Sequence, residues 1–167
     1  MLFARTVIIA LTIAVTAFAA EEPAELSNAR KEFAAHPTEA ARVQYITKLV
    51  QLREKILAAH RDGWEAIDAE IVRHPMSGAA DSKLLVGQWA SPRHLYLYRA
   101  DGTWTMDDEG LDLAVATRGT WRIEGNNYFQ GFSRDSPFDR YTIILLTKEY
   151  FVFDGYILKR GAHFHDI

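Results

Sequence analysis

Residues 94–107 read His-Leu-Tyr-Leu-Tyr-Arg-Ala-Asp-Gly-Thr-Trp-Thr-Met-Asp, and this stretch decides the fold. His94 to Arg99 and Thr103 to Asp107 carry the aromatic and β-branched residues that suit a pleated, half-buried strand. Asp101-Gly102 between them is the residue pair of a tight hairpin, because Gly accepts positive φ without steric cost.

The same punctuation recurs outward in both directions. Glu124-Gly125-Asn126 separates Thr117 to Ile123 from Asn127 to Phe132, Lys148-Glu149 separates Tyr141 to Thr147 from Tyr150 to Phe153, and Asp154-Gly155 precedes Tyr156 to Lys159. With an opening run from Leu84 to Trp89, about eight short strands follow one another by hairpins, the pattern of an antiparallel meander or barrel over residues 83–160. Gly119, Trp121 and Ile123 share one face and Thr120 and Arg122 the other, whereas Thr142 to Leu146 is apolar on both. A strand apolar on both faces needs a second layer, and helices are the natural cover.

Helices precede the strands. From Pro23 to Arg73 the chain is rich in Ala, Glu, Lys, Arg, Gln and Leu and contains a single Gly. A first helix is expected from Pro23 to Ala35, stopped by His36-Pro37, since a residue before proline is driven out of the helical region. A second opens at Thr38 or Glu39 and carries Val43, Ile46, Leu49, Val50, Ile56 and Leu57 on one face. Asp62 is the expected cap of a third, with Glu65 three residues on and Trp64, Ile67 and Ile71 on one side. The segments share no fixed period, so a helical repeat array is not supported. The small, polar residues 75–82 read as a linker. The fold class expected is therefore α+β: two or three N-terminal helices over residues 20–74, then a small barrel.

At the N-terminus, Arg5 precedes an apolar run from Val7 to Phe18 and the small residues Ala17 and Ala19, the layout of a secretory signal peptide over residues 1–19. About a dozen apolar residues fall short of the ~20 that span a bilayer, so an exported product, periplasmic or secreted, with no membrane span in its mature form is expected. Cysteine is absent, which excludes a disulfide framework, thiolate catalysis and a Cys-ligated metal. The formal charge of -3 is mild and mixed in sign, unlike the concentrated basic patch of a nucleic-acid binder.

The opening Gly87-Gln88-Trp89, the ordered hairpins and the closing Lys159-Arg160 resemble the lipocalin-like (calycin) domains of exported bacterial proteins over residues 83–160. Gly119-Thr120-Trp121 repeats the Gly-x-Trp pattern, and the family's Thr-Asp-Tyr on a later strand is absent, Asp139-Arg140-Tyr141 being only loosely similar to it. The resemblance implies that Gly87 and Trp89 begin the barrel, that Trp89 packs across its closed end, and that Arg160 lies over the indole in a cation–π contact worth ~0.5 to 2 kcal/mol. It also implies a barrel just wide enough for its own side chains or for one small ligand. Trp104, Trp121, Tyr128 and Phe153 are the expected lining residues of such a pocket. Tyr96 and Tyr98 share a face with His94 and form either a pocket wall or the surface that the helices cover.

Chemistry finds little footing. There is no Gly-x-Ser-x-Gly turn, no phosphate loop and no dinucleotide fingerprint, so neither catalytic residues nor cofactors are assigned. His163 and His165 sit in a tail, residues 161–167, that is expected to be solvated, and Asp107 to Asp112 is an acidic hairpin loop without EF-hand spacing. No metal site is assigned. The reading is a non-catalytic exported binding protein, its partner a small apolar or amphipathic ligand. The alternative is an envelope protein-interaction or structural module with a solid barrel core. An enzyme using His60, Asp62 or His94 between helices and barrel ranks third, because nothing orders those residues into a mechanism.

Overall fold

In a computed structural model, residues 22–108, 117–132 and 137–161 are described. The expected signal peptide, most of the acidic loop and the two C-terminal histidines lie outside them. Helix α1 spans Ala24–Ala35, α2 Glu39–Ala58 and α3 Trp64–Ile71. Pro23 occupies the N-cap of α1, and the Thr38 hydroxyl caps α2 by accepting from the Ala41 N–H at 3.1 Å. At the end of α2, His60 takes a left-handed conformation (φ 51°) and the Arg61 N–H reaches back to the Ile56 carbonyl, closing the helix as glycine more often does. The expected Asp62 cap is not formed: the N-cap of α3 is Gly63 at φ 99°, without a side-chain bond. Gly63 sits there because only its conformation turns the chain into α3 immediately after the His60 stop.

Eight strands follow: β1 Gly87–Ala90, β2 His94–Tyr98, β3 Thr103–Asp108, β4 Thr117–Glu124, β5 Asn127–Gly131, β6 Asp139–Leu146, β7 Tyr150–Phe153 and β8 Tyr156–Arg160. Each pairs antiparallel with the next, and β8 returns to β1, so the sheet closes into a barrel. The result is an α+β fold, lipocalin-like in form, with the strand count the hairpin signals led one to expect. Two strand bounds differ from the sequence reading by more than one residue. Ser82–Leu84 forms a 3-10 turn instead of opening the first strand, and β6 begins two residues earlier than Tyr141.

The helices cover the outer face of β6 and β7. Leu26, Ile46, Leu49, Val50, Ile56, Ile67 and Ile71 form one buried cluster with Ile144, Leu145, Tyr150 and Val152. This explains why β6 is apolar on both faces. Its register slips against β7, where Ile143 opposes Phe153 but Leu145 opposes Val152, so Ile144 is the extra residue of a β-bulge and turns with Leu145 toward the helices. A bulge frees a backbone carbonyl, and here the buried Arg42 guanidinium takes it, donating to Ile144 O at 2.7 Å and to His74 O at 3.0 Å.

The segment read as a linker is bound along its length. Met76 N donates to Ile143 O at 3.0 Å, Asn126 Nδ2 to Met76 O at 2.9 Å, and Ala80 N to Gly125 O at 2.8 Å. Helices and barrel are thereby joined by hydrogen bonds as well as by a shared core.

Candidate functional site at the barrel seam

The barrel axis is filled with rings. Trp89, Trp104, Tyr98, Tyr128 and Phe151 are each less than 2 % exposed. The four residues expected to line a pocket stand among them: Tyr128 lies 5.1 Å from Phe153 and 5.2 Å from Phe151, and Tyr98 contacts Trp121 at 6.0 Å, ring centre to ring centre. Trp104 Nε1 donates to Thr120 O at 3.2 Å and Trp121 Nε1 to Thr103 O at 3.0 Å, so the buried indoles are satisfied by the barrel's own backbone.

One polar chain crosses this core. Tyr128 Oη is 3.1 Å from Tyr98 Oη and 2.9 Å from Gln130 Oε1. A single hydroxyl proton cannot serve both, so Tyr98 donates to Tyr128 and Tyr128 to Gln130. Burial drives both phenols well above their ordinary pKa, which keeps them neutral donors.

One end of the barrel is shut. The Arg160 guanidinium lies 4.2 Å over the Trp89 ring, donates to Val86 O at 3.0 Å and also to Leu84 O, while Trp89 Nε1 donates to Leu85 O at 2.7 Å. Gly87, at φ 132°, leaves room for the guanidinium: a Cβ there would stand 2.6 Å from Arg160 Nη1. Burial lowers the pKa of Arg160, and the pairing with carbonyls and a ring face stands in for a counter-ion.

The other end opens sideways. β1 and β8 share only two register pairs, Trp89 with Arg160 and Ala90 with Lys159. Beyond Ala90 the chain turns: Pro92 has no N–H to offer a ladder, and Ser91 N donates to His94 O at 2.9 Å to start β2. On the far side Asp154 (φ 39°) and Gly155 (φ 86°) make a tight turn of the primed type that delivers Tyr156 into β8. The stretch Tyr156 to Leu158 therefore runs on past the last β1 pair.

A pocket of about 320 Å³ occupies this seam, at the low end of the ~300–1,000 Å³ typical of small-molecule sites. Tyr96, Tyr156 and Leu158 supply its apolar wall, and Arg93, His94 and Arg53 of α2 supply its polar rim. Tyr156 is 58 % exposed, with its ring stacked on Phe153 at 5.3 Å, so an open aromatic face continues the filled core out to solvent. Arg53 is fixed from behind by Asp68 at 2.6 Å and lies 5.6 Å from the Trp64 ring.

Of the residues singled out in sequence, His94 and Tyr96 belong to this seam, and Tyr98 lies deeper inside; the helices cover β6 and β7 instead. His60 and Asp62 are exposed on the turn between α2 and α3. Among the described residues no group of three or more His, Asp or Glu is placed to hold a metal ion, and no helix is long and apolar enough to cross a membrane. Sequence reasoning missed Arg53, Arg93 and Tyr156. Pro92, which stops β1 at four residues, is the one signal that pointed to an opening there.

No protein-family model matches the chain, and no curated protein or solved structure matches it either.

Proposed function

We propose that this chain is a non-catalytic binding protein, exported by its N-terminal segment and akin to the lipocalin-like domains, that takes a small amphipathic ligand in the barrel seam instead of along the axis. The observation that carries this reading is the pairing of a ring-filled axis with a 320 Å³ opening at the β1–β8 seam. A filled small barrel has no room for a calyx ligand, whereas the seam joins an exposed tyrosine to a cationic rim.

Native mass spectra of the protein, gently purified from the exported fraction of its own host, test the reading. The expected result is a reproducible adduct on the order of a few hundred daltons, the size such a pocket holds, that is lost when Tyr156→Ala and Tyr96→Ala are combined. A bare monomer, or an adduct indifferent to those substitutions, overturns it.

A second reading follows from the outer face of β1 to β4, which the helices leave uncovered. A pocket of about 730 Å³ there, larger than the seam pocket, brings Leu95 and Leu97 between Arg99, Arg118 and Asp107. Leu97 is 40 % exposed, and a face of this mixed character supports a protein-interaction module with a solid barrel core. Crosslinking in the exported fraction, with and without Leu97→Glu, separates the two readings: a protein adduct sensitive to that change supports the second.

A further inference from the structure

Resting on the seam reading above, we infer that the ligand of the seam is an organic anion with an apolar body. The charged side chains among the described residues that line the pocket are two arginines, with no carboxylate. The carboxylates nearest them along α2 and α3 are already engaged. Asp68 accepts from Arg53 at 2.6 Å, and Glu54 lies 3.6 Å from Lys159 Nζ and 3.5 Å from Tyr150 Oη. Arg53 is thus already paired and held in place, which leaves Arg93, exposed on the β1–β2 turn, as the group best placed to meet an incoming negative charge.

The opposite wall is built for an apolar body. Tyr156 is stacked on Phe153 and edge-on to Tyr141 at 6.3 Å, so its ring has a fixed orientation and little side-chain entropy left to lose when a second ring or chain lies against it. A guanidinium prefers a planar carboxylate or a sulfonate or phosphate, which it binds through two parallel N–H groups. A cation or a neutral polar molecule would leave that fork without a partner.

Three size-matched probes decide the matter: phenylacetate, phenylethanol and phenylethylamine, each titrated into the full chain while the amide resonances of Tyr96 and of Tyr156 to Leu158 are followed. The expected result is binding of phenylacetate about tenfold tighter than of the alcohol or the amine, as a charge-assisted bond predicts. Arg93→Gln then brings phenylacetate to the level of the alcohol, and Arg93→Lys restores only part. Equal or tighter binding of the amine or the alcohol overturns the anion inference while leaving the seam as the site. If none of the three shifts those resonances while thermal melts show the protein folded, the site itself falls, and the inference with it.

Discussion

Arg42 of α2 donates to the carbonyl of Ile144, 102 residues further along the chain, at the β6 bulge where the sheet departs from regular pairing. One side chain thereby joins the two halves of the fold: its Nη1 satisfies both the bulge carbonyl and the His74 carbonyl at the end of the helical layer, while its Nε and Nη2 hold Glu39, which in turn accepts from Ser77 at 2.8 Å.

Replacing Arg42 by Met keeps the apolar stem but orphans a buried carbonyl, and each such group costs roughly 1–3 kcal/mol. Arg42→Met is expected to lower stability by about 3 kcal/mol and to uncouple the layers. In urea, helical dichroism is expected to be lost at a lower midpoint than the near-ultraviolet signal of the barrel rings. Coincident transitions at the wild-type midpoint refute the coupling.

Gly87 and Arg160 form a second testable pair. An Ala at position 87 brings a Cβ to 2.6 Å from Arg160 Nη1 and adds the strain of φ 132°, which is worth ~1–3 kcal/mol by itself. Gly87→Ala and Arg160→Met are each expected to destabilise the barrel. The double variant loses less than the sum, because the clash disappears with the guanidinium. An additive cycle rules out the contact as the reason for glycine.

Acid sensitivity is expected to centre on Glu70. Burial pushes this carboxyl up, but bonds from Arg30 at 2.9 Å, His74 at 3.1 Å and Tyr45 at 2.8 Å outweigh burial and hold its pKa down to about 2, against 4.5 unfolded. Its contribution is complete above pH 4.5 and is lost as pH falls through 2, so stability drops across that window. Melting temperatures of Glu70→Gln, lower at neutral pH, are expected to lose much of the slope between those limits. A slope identical to wild type assigns the acid sensitivity to other groups.

Much of the fold was legible because it rests on local period and turn chemistry. The Thr142 to Leu146 stretch announced a two-sided strand, and the cap at Thr38 and the Asp101-Gly102 turn are satisfied within a few residues of themselves. What could not be read depends on partners far along the chain. The β6 bulge exists against Arg42, and Gly63 displaced Asp62 as a cap because His60 had already turned the chain. The two Gly-x-Trp sequences are indistinguishable as text. In space, Gly87 makes room for Arg160, while Gly119 makes room for the Trp104 indole and the Gly131 carbonyl, which a Cβ would meet at 2.5 and 2.0 Å. The seam was the least legible feature. It arises from the shortness of the β1–β8 register, and of its lining only His94 and Tyr96 were noticed, as members of a strand face.

That two-pair closure also bears on how the molecule comes into being. β1 and β8 are the opening and closing strands of the barrel, so a nascent chain emerging from its N-terminus has made seven strands before the ring can shut, and until then both outer edges stay unpaired. Such edges are templates for association with other chains, and closing a loop of this length is a late event. Pairing of β8 with β1 is thus the step at which an adhesive intermediate becomes a finished ring, and chains cut short before β8 are expected to aggregate instead of merely losing a contact.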